Sequence, residues 1–358
     1  LELIEPDDNQ IIVRDSASFN LRGRAADDVH RRTFRSGIDG SVQYYAVRPA
    51  VPSAEAEGLP AFVLSLHGAG VQAIGQASSY QSKDWAHVVA PTNRRVFGFD
   101  WEDWGRLDAL EVLALAERRY GTDPDRTYLT GHSMGGHGTW HLGVTFPGRW
   151  AAIGPSAGWR SFWAYAGAVS FDESDAMASM LRRATNGSDT EALARNTLHY
   201  GVYILHGDAD DNVPVDQARY MRKLLEPFHP DVGYHEQPGA GHWWGNECCD
   251  WDPLFRYFAA RRRPPADELD RIEFHTASPG ISHRSRWVAI EQQREALRPS
   301  SVIVDLDRAA RAFHVETKNV ARFVLDVDHL GAGRPLSVRI DGVPLPEIEW
   351  PLDTPRLA

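Results

Sequence analysis

Cysteine is scarce in this sequence, with only Cys248 and Cys249 among 358 residues. This scarcity excludes a small scaffold held together by many disulfides, but it does not exclude secretion. Because neighbouring cysteines rarely meet the geometry of a disulfide, we expect two buried free thiols rather than a strained bridge.

Long apolar runs and an excess of positive charge are also missing. No run approaches the roughly 18 apolar residues that a membrane-spanning helix needs. The chain has 38 basic and 49 acidic residues, a net charge of −11. Nucleic acid is therefore not an expected partner, because contacts with phosphates supply most of that affinity. The chain starts at Leu1 rather than Met, which indicates a trimmed form compatible with a secreted or periplasmic location and leaves the compartment open.

Short apolar runs alternate with helical patterns from residue 56 to residue 263. The run Ala61–Leu66 stops at glycines, as is typical of a strand buried on both faces. Residues 105–121 place leucines on one helical stripe and end in a glycine stop signal. This alternation predicts an α/β fold with a mostly parallel sheet and helices on both faces, and residues 1–55 should supply strands that lead into it.

The alternation lapses between residues 158 and 198 and changes after Pro264 and Pro265. The first segment joins aromatic residues to a polar helical stretch, which indicates either a cap over the mouth of the sheet or a plain helical connection. After the prolines, short β-branched runs separated by turns predict a small β-sandwich over residues 268–358. This lobe should either cover a sheet edge or bind glycans; the oligomeric state stays open.

The strongest chemical motif is G-x-S-x-G at residues 131–135, with Ser133 at its centre. A strand pattern precedes the motif and a helix pattern follows it, so we expect the serine on a tight strand-to-helix turn. Such a turn lifts the hydroxyl clear of the sheet, near a helix N-terminus whose dipole favours a developing oxyanion. The motif therefore predicts a nucleophilic serine.

A serine nucleophile needs a base, and in this arrangement an acid and then a histidine follow the serine along the chain. His242 lies in a glycine-rich loop after a late strand and is the predicted base. The segment LHGDADDNVP, residues 205–214, offers three candidate acids: Asp208, Asp210 and Asp211.

The remaining site features are an oxyanion hole and a pocket. An oxyanion needs two backbone N–H donors, and we expect them from Met134, directly after the serine, and from Ala69 in an early H-G-A-G turn. The sequence has 12 tryptophans, and because exposed indole is costly some should line a pocket. The expected wall consists of Trp159, Trp163, Trp243 and Trp244.

Other polar groups near these motifs are expected to be structural. His132 and His137 should pack beside the serine or donate hydrogen bonds. Three carboxylates alternate with tryptophans, which favours helix capping and packing over a metal site: Asp100, Glu102 and Asp103. The sequence has no P-loop, dinucleotide fingerprint or HExxH spacing, so no metal site is predicted.

Five motifs between residues 40 and 262 resemble the α/β-hydrolase superfamily, and within it the prolyl oligopeptidase-like and polyhydroxybutyrate-depolymerase-like serine esterases. They are LHGAG (66–70), GHSMGGHGTW (131–140), PSAGW (155–159), LHGDADDNVP (205–214) and GAGHWWG (239–245). The resemblance implies an α/β-hydrolase fold, no cofactor, and a triad of Ser133, Asp210 and His242. The family pattern H-G-x-x-D-x-x-V-P favours Asp210 over Asp211, and leaves Asp208 to brace the turn.

These features predict a serine hydrolase that cleaves carboxylic esters through an acyl-enzyme. A tryptophan wall suits an aromatic acid or a sugar face, so acetyl or feruloyl esters, free or linked to polysaccharides, are the expected substrates. A serine peptidase is the first alternative, although only some fifty residues precede the sheet where true oligopeptidases carry a propeller, and no acidic pair for a peptide amino terminus is evident. A carbohydrate-binding protein with an inactive core is the second alternative.

Overall fold

The N-terminal strands divide between two sheets in the computed structural model, which describes residues 2–7, 10–18, 23–53, 58–165, 174–350 and 356–357. Strands β1 (Glu2–Asp7) and β2 (Gln10–Ser16) pair with each other as an antiparallel ribbon. Strands β3 (His30–Arg35) and β4 (Val42–Arg48) form one edge of the central sheet. Strands β3 and β4 thus belong to the central sheet, whereas β1 and β2 form a ribbon of their own.

The central sheet contains eight strands within the described residues. After β4 its members are β5 (Ala61–Leu66), β6 (Ala86–Ala90), β7 (Thr127–His132), β8 (Ala152–Ser156), β9 (Gly201–Gly207) and β10 (Val232–Gln237). Their spatial order is β10-β9-β8-β7-β5-β6-β4-β3, and the six strands from β10 to β6 run parallel. The prediction of a mostly parallel sheet is confirmed.

Helices cover both faces of this sheet. They are α1 (Ala73–Ser78), α2 (Asp103–Tyr120), α3 (Met134–Thr145), α5 (Asp216–Leu225) and α6 (Asp252–Ala259), while α4 (Ala176–Thr185) has no buried residue and lies apart from these layers. Strand β5 contributes to the cores on both faces of the sheet, which explains its continuous apolar run. Phe62 and Leu64 belong to the cluster that contains side chains of α2 and α3, while Ala61 and Val63 belong to the cluster that contains side chains of α6. Successive side chains of a strand point to opposite faces, so a strand covered on both sides must be apolar throughout.

The segment expected to form a cap is described only in part, because residues 166–173 lie outside the described residues. Tyr165, just before that gap, stacks on Trp159 at 4.3 Å between ring centroids. After the gap, α4 borders a groove together with Arg298 of the C-terminal lobe. Asn186, at the end of α4, donates a hydrogen bond to the Leu297 carbonyl at 2.9 Å. The part of this segment that follows the gap therefore lies against the lobe.

The C-terminal lobe is a pair of packed β-sheets, as the sequence predicts. Its strands are β11 (Arg271–Thr276), β12 (Arg284–Ser285), β13 (Val288–Gln293), β14 (Ser300–Asp307), β15 (Ala312–Lys318), β16 (Val320–Asp326), β17 (Ser337–Ile340), β18 (Val343–Pro344) and β19 (Arg356–Leu357). One sheet has the order β11-β14-β15-β17-β18 and the other β12-β13-β16-β19. A separate core that includes Phe274, Val304 and Phe313 fills the space between them.

The lobe is fastened to the catalytic core by buried polar contacts. Asn196, which precedes β9, donates hydrogen bonds to the carbonyls of Val144 and His275 and accepts one from the His275 amide. Arg195 forms an ion pair with Glu273, whose side chain is almost fully buried. These contacts satisfy polar groups at the junction and fix how the lobe meets α3.

The two cysteines are free and buried, which confirms that prediction. Burial raises the pKa of the Cys248 thiol far above its usual range, so it remains protonated. Within the described residues, no helix is both long and apolar enough to cross a membrane.

Candidate active site

Ser133 lies at the turn between β7 and α3, with φ 61° and ψ −120°. A positive φ is uncommon for a residue with a side chain and is the strained geometry expected of a nucleophile elbow. The turn is possible because glycines flank it. A Cβ on Gly135 would lie 1.9 Å from the Leu66 carbonyl oxygen, and one on Gly131 would lie 2.4 Å from the Gly135 carbonyl oxygen. Small residues therefore let α3 begin directly against the sheet.

We expect Gly135→Ala to destabilise the protein by about 3 kcal/mol or more, because the new methyl group would meet rigid backbone rather than a movable side chain. Gly241→Ala is the matched control, since a Cβ there would meet nothing within 4 Å. Urea denaturation of both variants measures the difference. Equal free energies of unfolding would contradict the claim that the elbow needs a glycine at residue 135.

The structure brings Ser133, His242 and Asp210 together. The His242 Nε2 atom lies 2.9 Å from the Ser133 hydroxyl oxygen, and its Nδ1 atom lies 2.8 Å from Asp210 Oδ2. A proton on Nδ1 donates to the carboxylate and leaves Nε2 free to accept the serine proton. The carboxylate is fully buried, whereas the His242 side chain is 19% exposed. The three side chains thus form one hydrogen-bonded series in the order serine, histidine, aspartate.

Asp210 is held as an anion by its neighbours. Burial alone would raise its pKa, but hydrogen bonds from His206, His242 and the amides of Val213 and Asn212 together lower the pKa well below its usual range. The two alternative candidates for the acid, Asp208 and Asp211, lie elsewhere. Asp211 is exposed. The Asp208 carboxylate accepts a hydrogen bond from the Gly239 amide at 2.6 Å and so braces the loop that carries the histidine.

Two backbone amides beside the serine have no partner. The H-G-A-G turn lies next to the nucleophile, because a Cβ on Gly68 would lie 3.5 Å from the Cβ of Ser133. Among the described residues, no acceptor takes a hydrogen bond from the amide of Ala69 or that of Met134. Met134 is also the first residue of α3, where the helix leaves N–H groups unsatisfied. Both amides are therefore available to an oxyanion.

His132 packs behind the catalytic histidine. Its ring lies 4.9 Å from that of His242, and its Nδ1 atom lies 3.1 Å from the Ser156 hydroxyl. Burial, reinforced by the charge that His242 can carry, lowers the pKa of His132 to about 3. His132 is thus a neutral packing and hydrogen-bonding group, as the sequence predicts.

A buried pair that sequence reasoning did not identify lies on the other side of α3. His137 Nε2 is 3.2 Å from the Glu102 carboxylate, and Nδ1 is 3.1 Å from the Trp159 carbonyl. Burial opposes ionisation of Glu102, but the hydrogen bond from His137 and the nearby ring of His141 lower its pKa to about 2. No sequence signal joins residues 35 positions apart, so only the fold reveals this pair. It connects the start of α2 to the helix behind the serine.

His141, one turn further along α3, should make stability sensitive to acid. It is fully buried, and burial lowers its pKa from 6.5 to about 4. Between these values the unfolded chain binds a proton that the native state does not, so stability falls as pH falls. We expect His141→Phe to make the free energy of unfolding less pH-dependent by about 1.4 kcal/mol per pH unit in this window.

Urea denaturation between pH 7 and pH 4 measures this slope. His314→Phe, which replaces an exposed histidine of β15, should leave it unchanged. An unaltered slope in His141→Phe would show that His141 does not couple stability to pH.

The four predicted tryptophans do not form one wall. Trp159 is buried and stacks between His137 and Tyr165. Trp163 borders a separate groove with Arg182 and Thr185, and Trp244 packs with the cluster beneath the opposite face of the sheet. Trp243 alone of the four is mainly exposed, at 52%, and its ring meets that of His132 edge-on. Most of these indole rings pack against other side chains. The number of tryptophans in the sequence cannot distinguish this role from contact with a substrate.

The contacts of the carboxylates near α2 agree with a role in helix capping and packing. Within the described residues, no cluster of three or more histidine, cysteine, aspartate or glutamate side chains could hold a metal ion. Glu102 pairs with His137, and Asp103 lies in the first turn of α2, where a negative charge favours the helix dipole. The Trp101 indole is buried and donates to the His67 carbonyl at 3.1 Å. These residues join the H-G-A-G turn to α2.

The chain is similar to known proteins in both sequence and fold. The Esterase family model matches residues 68–224. An uncharacterized secreted protein of Arthroderma benhamiae is 29% identical over 95% of this chain, which spans 39% of that relative's length. Among solved structures, Pyrococcus horikoshii acylaminoacyl peptidase has a TM-score of 0.50 and 15% identity, over 66% of this chain and 42% of its own. A puromycin hydrolase has a TM-score of 0.50 and 17% identity, over 65% of this chain and 38% of its own.

The two structural similarities concern the fold, and the family match covers the segment that carries Ser133. The parallel sheet, the strained serine turn and the order serine, aspartate, histidine agree with both. The chain therefore has an α/β-hydrolase fold, and its residues 68–224 are similar to the Esterase family.

Proposed function

We propose that this protein hydrolyses carboxylic esters through Ser133, His242 and Asp210. The observation that carries the proposal is the pair of hydrogen bonds, 2.9 Å and 2.8 Å long, that joins the three side chains in that order. His242 takes the proton of Ser133 as the hydroxyl oxygen attacks the ester carbonyl, and Asp210 stabilises the imidazolium that forms. The amides of Ala69 and Met134 donate hydrogen bonds that stabilise the negative charge developing on the carbonyl oxygen.

The second half of the reaction releases the acyl group. Collapse of the tetrahedral intermediate expels the alcohol, which receives the proton held by His242, and leaves an ester on Ser133. Water then attacks this acyl-enzyme with His242 again acting as the base, and the acid product leaves.

We further propose that the substrates are acetyl or feruloyl esters of polysaccharides. Two large aromatic side chains near the site face solvent: Trp243, next to the histidine, is 52% exposed, and Phe97 is 69% exposed. Phe97 contacts the turn of the oxyanion hole, because a Cβ on Gly70 would lie 3.5 Å from its ring. Exposed aromatic faces beside a site favour flat partners such as a phenolic acid or a sugar ring.

A secreted location suits such substrates, which lie outside cells. Its support is the similarity to a secreted protein over 95% of this chain. The location of the whole protein, like its substrates, remains our proposal.

Hydrolysis of short p-nitrophenyl esters measured beside peptide p-nitroanilides tests the reaction class. We expect turnover of the esters and none of the anilides, followed by release of acetate or ferulate from esterified xylan. Anilide turnover comparable with ester turnover would replace this proposal with a peptidase, and inactivity on both substrates would contradict it.

Trp243→Ala tests the aromatic subsite. We expect kcat/KM for methyl ferulate to fall about tenfold, since the lost contact with an aromatic ring is worth roughly 1–1.5 kcal/mol. Hydrolysis of methyl acetate, which carries no aromatic ring, is the control and should change less than about twofold. An equal loss on both substrates would instead indicate that the mutation disturbs His242.

A further inference from the structure

A cavity of about 550 Å³ lies between the central sheet and the C-terminal lobe, lined by none of the three triad residues. It is bordered by the loop after α3 (146–149), the linker (263–266) and the lobe segment 281–286. The lobe approaches the core closely here: a Cβ on Gly148 would lie 3.3 Å from the amide nitrogen of Arg286. Its volume is that of a small-molecule site rather than a gap left by imperfect packing.

The cavity is basic, although the whole chain carries a net charge of −11. Four arginines line it, and Asp125 is the single carboxylate among its lining residues. Arg263 pairs with Asp125 at 3.0 Å, and Arg284 pairs with Asp326. The other two arginines, Arg149 and Arg286, make no ion pair with the described residues. The cavity therefore holds more positive charge than its own carboxylates neutralise.

Arg286 is the most unusual of these residues. Its Nε and Nη2 atoms are buried and have no hydrogen-bond partner within the described structure. Burial, together with the charge of Arg263, lowers the pKa of its guanidinium to about 9. Its backbone has φ +54°, which is uncommon outside glycine. Burying an unpaired charge is costly, and such strain tends to persist where a ligand makes use of it.

We propose that this cavity binds an acidic saccharide whose carboxylate pairs with Arg286. A guanidinium forms charge-assisted hydrogen bonds with a carboxylate, and because Arg286 lines the cavity, a bound carboxylate would supply the partner that its charge lacks. Phe146, Pro264 and Ile281 also line the space and offer apolar surface to the C–H faces of a sugar ring. An inorganic anion would leave most of the volume unfilled. The proposal concerns binding only and does not depend on the reaction at Ser133.

Isothermal titration calorimetry with digalacturonate tests the proposal, with neutral galactobiose and inorganic phosphate as comparison ligands. We expect digalacturonate to bind and galactobiose not to bind. Arg286→Met should weaken digalacturonate binding by about 10- to 100-fold, the usual size of a lost charge-assisted pair. Arg322→Met is the matched control, because Arg322 is an exposed arginine of the same lobe, and it should leave the affinity unchanged.

Thermal unfolding without ligand separates a binding role from a structural one. Arg286→Met should match or exceed the wild-type Tm, since the variant loses an uncompensated buried charge. A lower Tm with unchanged affinity would overturn the proposal, and so would phosphate binding as tight as that of digalacturonate or the absence of any binding.

Two further measurements keep the test decisive. If Arg286→Met does not fold, Arg149→Gln at the exposed rim should weaken binding severalfold, and unchanged affinity would overturn the proposal. Hydrolysis of p-nitrophenyl acetate by Arg286→Met should equal that of the wild type, which shows that the cavity is separate from the catalytic site.

Discussion

Ser133→Ala is expected to lower kcat for ester hydrolysis by about four to six powers of ten. In the proposed triad the serine hydroxyl forms the acyl bond, and no other hydroxyl within the described structure is hydrogen-bonded to His242. Steady-state kinetics on p-nitrophenyl acetate measure the loss, and circular dichroism shows that the variant folds. The residual activity should approach that of the oxyanion hole and binding alone.

A matched serine variant serves as the control for this experiment. Ser78→Ala removes an exposed hydroxyl whose one hydrogen bond within the described residues is to the Ile74 carbonyl in α1, so its kcat should stay within about twofold of wild type. Turnover by Ser133→Ala close to that of Ser78→Ala would contradict the nucleophile assignment.

Asp210→Asn is expected to lower kcat by about four powers of ten, although the side chains have the same shape. The carboxylate accepts a hydrogen bond from His242 Nδ1–H at 2.8 Å, whereas an amide could turn its NH₂ group toward that nitrogen and stabilise the wrong tautomer. Asp211→Asn should keep nearly full activity, because Asp211 is exposed and lies outside these hydrogen bonds.

The two variants differ by one position in the chain and carry the same chemical change. Their comparison therefore distinguishes the acid that the family pattern selects from its sequence neighbour. A larger loss in Asp211→Asn than in Asp210→Asn would show that the acid had been assigned to the wrong aspartate.

Local chemistry explains why the site could be predicted from the sequence. Ser133 needs glycines around it, and the G-x-S-x-G motif records that requirement directly. The parallel strands could be recognised because burial on both faces forces apolar runs such as Ala61–Leu66. Asp210 follows β9 and His242 follows β10, and parallel strands deliver their carboxyl ends to one edge of the sheet.

Other features depend on contacts between distant parts of the chain, which no local pattern records. Trp159 and Trp244 look like Trp243 in sequence, yet they pack in different clusters, whereas Trp243 remains half-exposed. The Glu102–His137 pair and the unpaired Arg286 likewise arise only when the helices and the lobe meet. The residue types show which chemical groups are available, and tertiary packing determines what each group contacts.

Trapping the acyl-enzyme tests the central claim most directly. The protein would be mixed with a slowly hydrolysed p-nitrophenyl ester, quenched in acid, and examined by intact-mass spectrometry and peptide mapping. We expect one acyl group per chain, located on Ser133, and none in Ser133→Ala. An acyl group on another residue, or rapid ester turnover with no acyl group on any residue, would contradict a Ser133 acyl-enzyme.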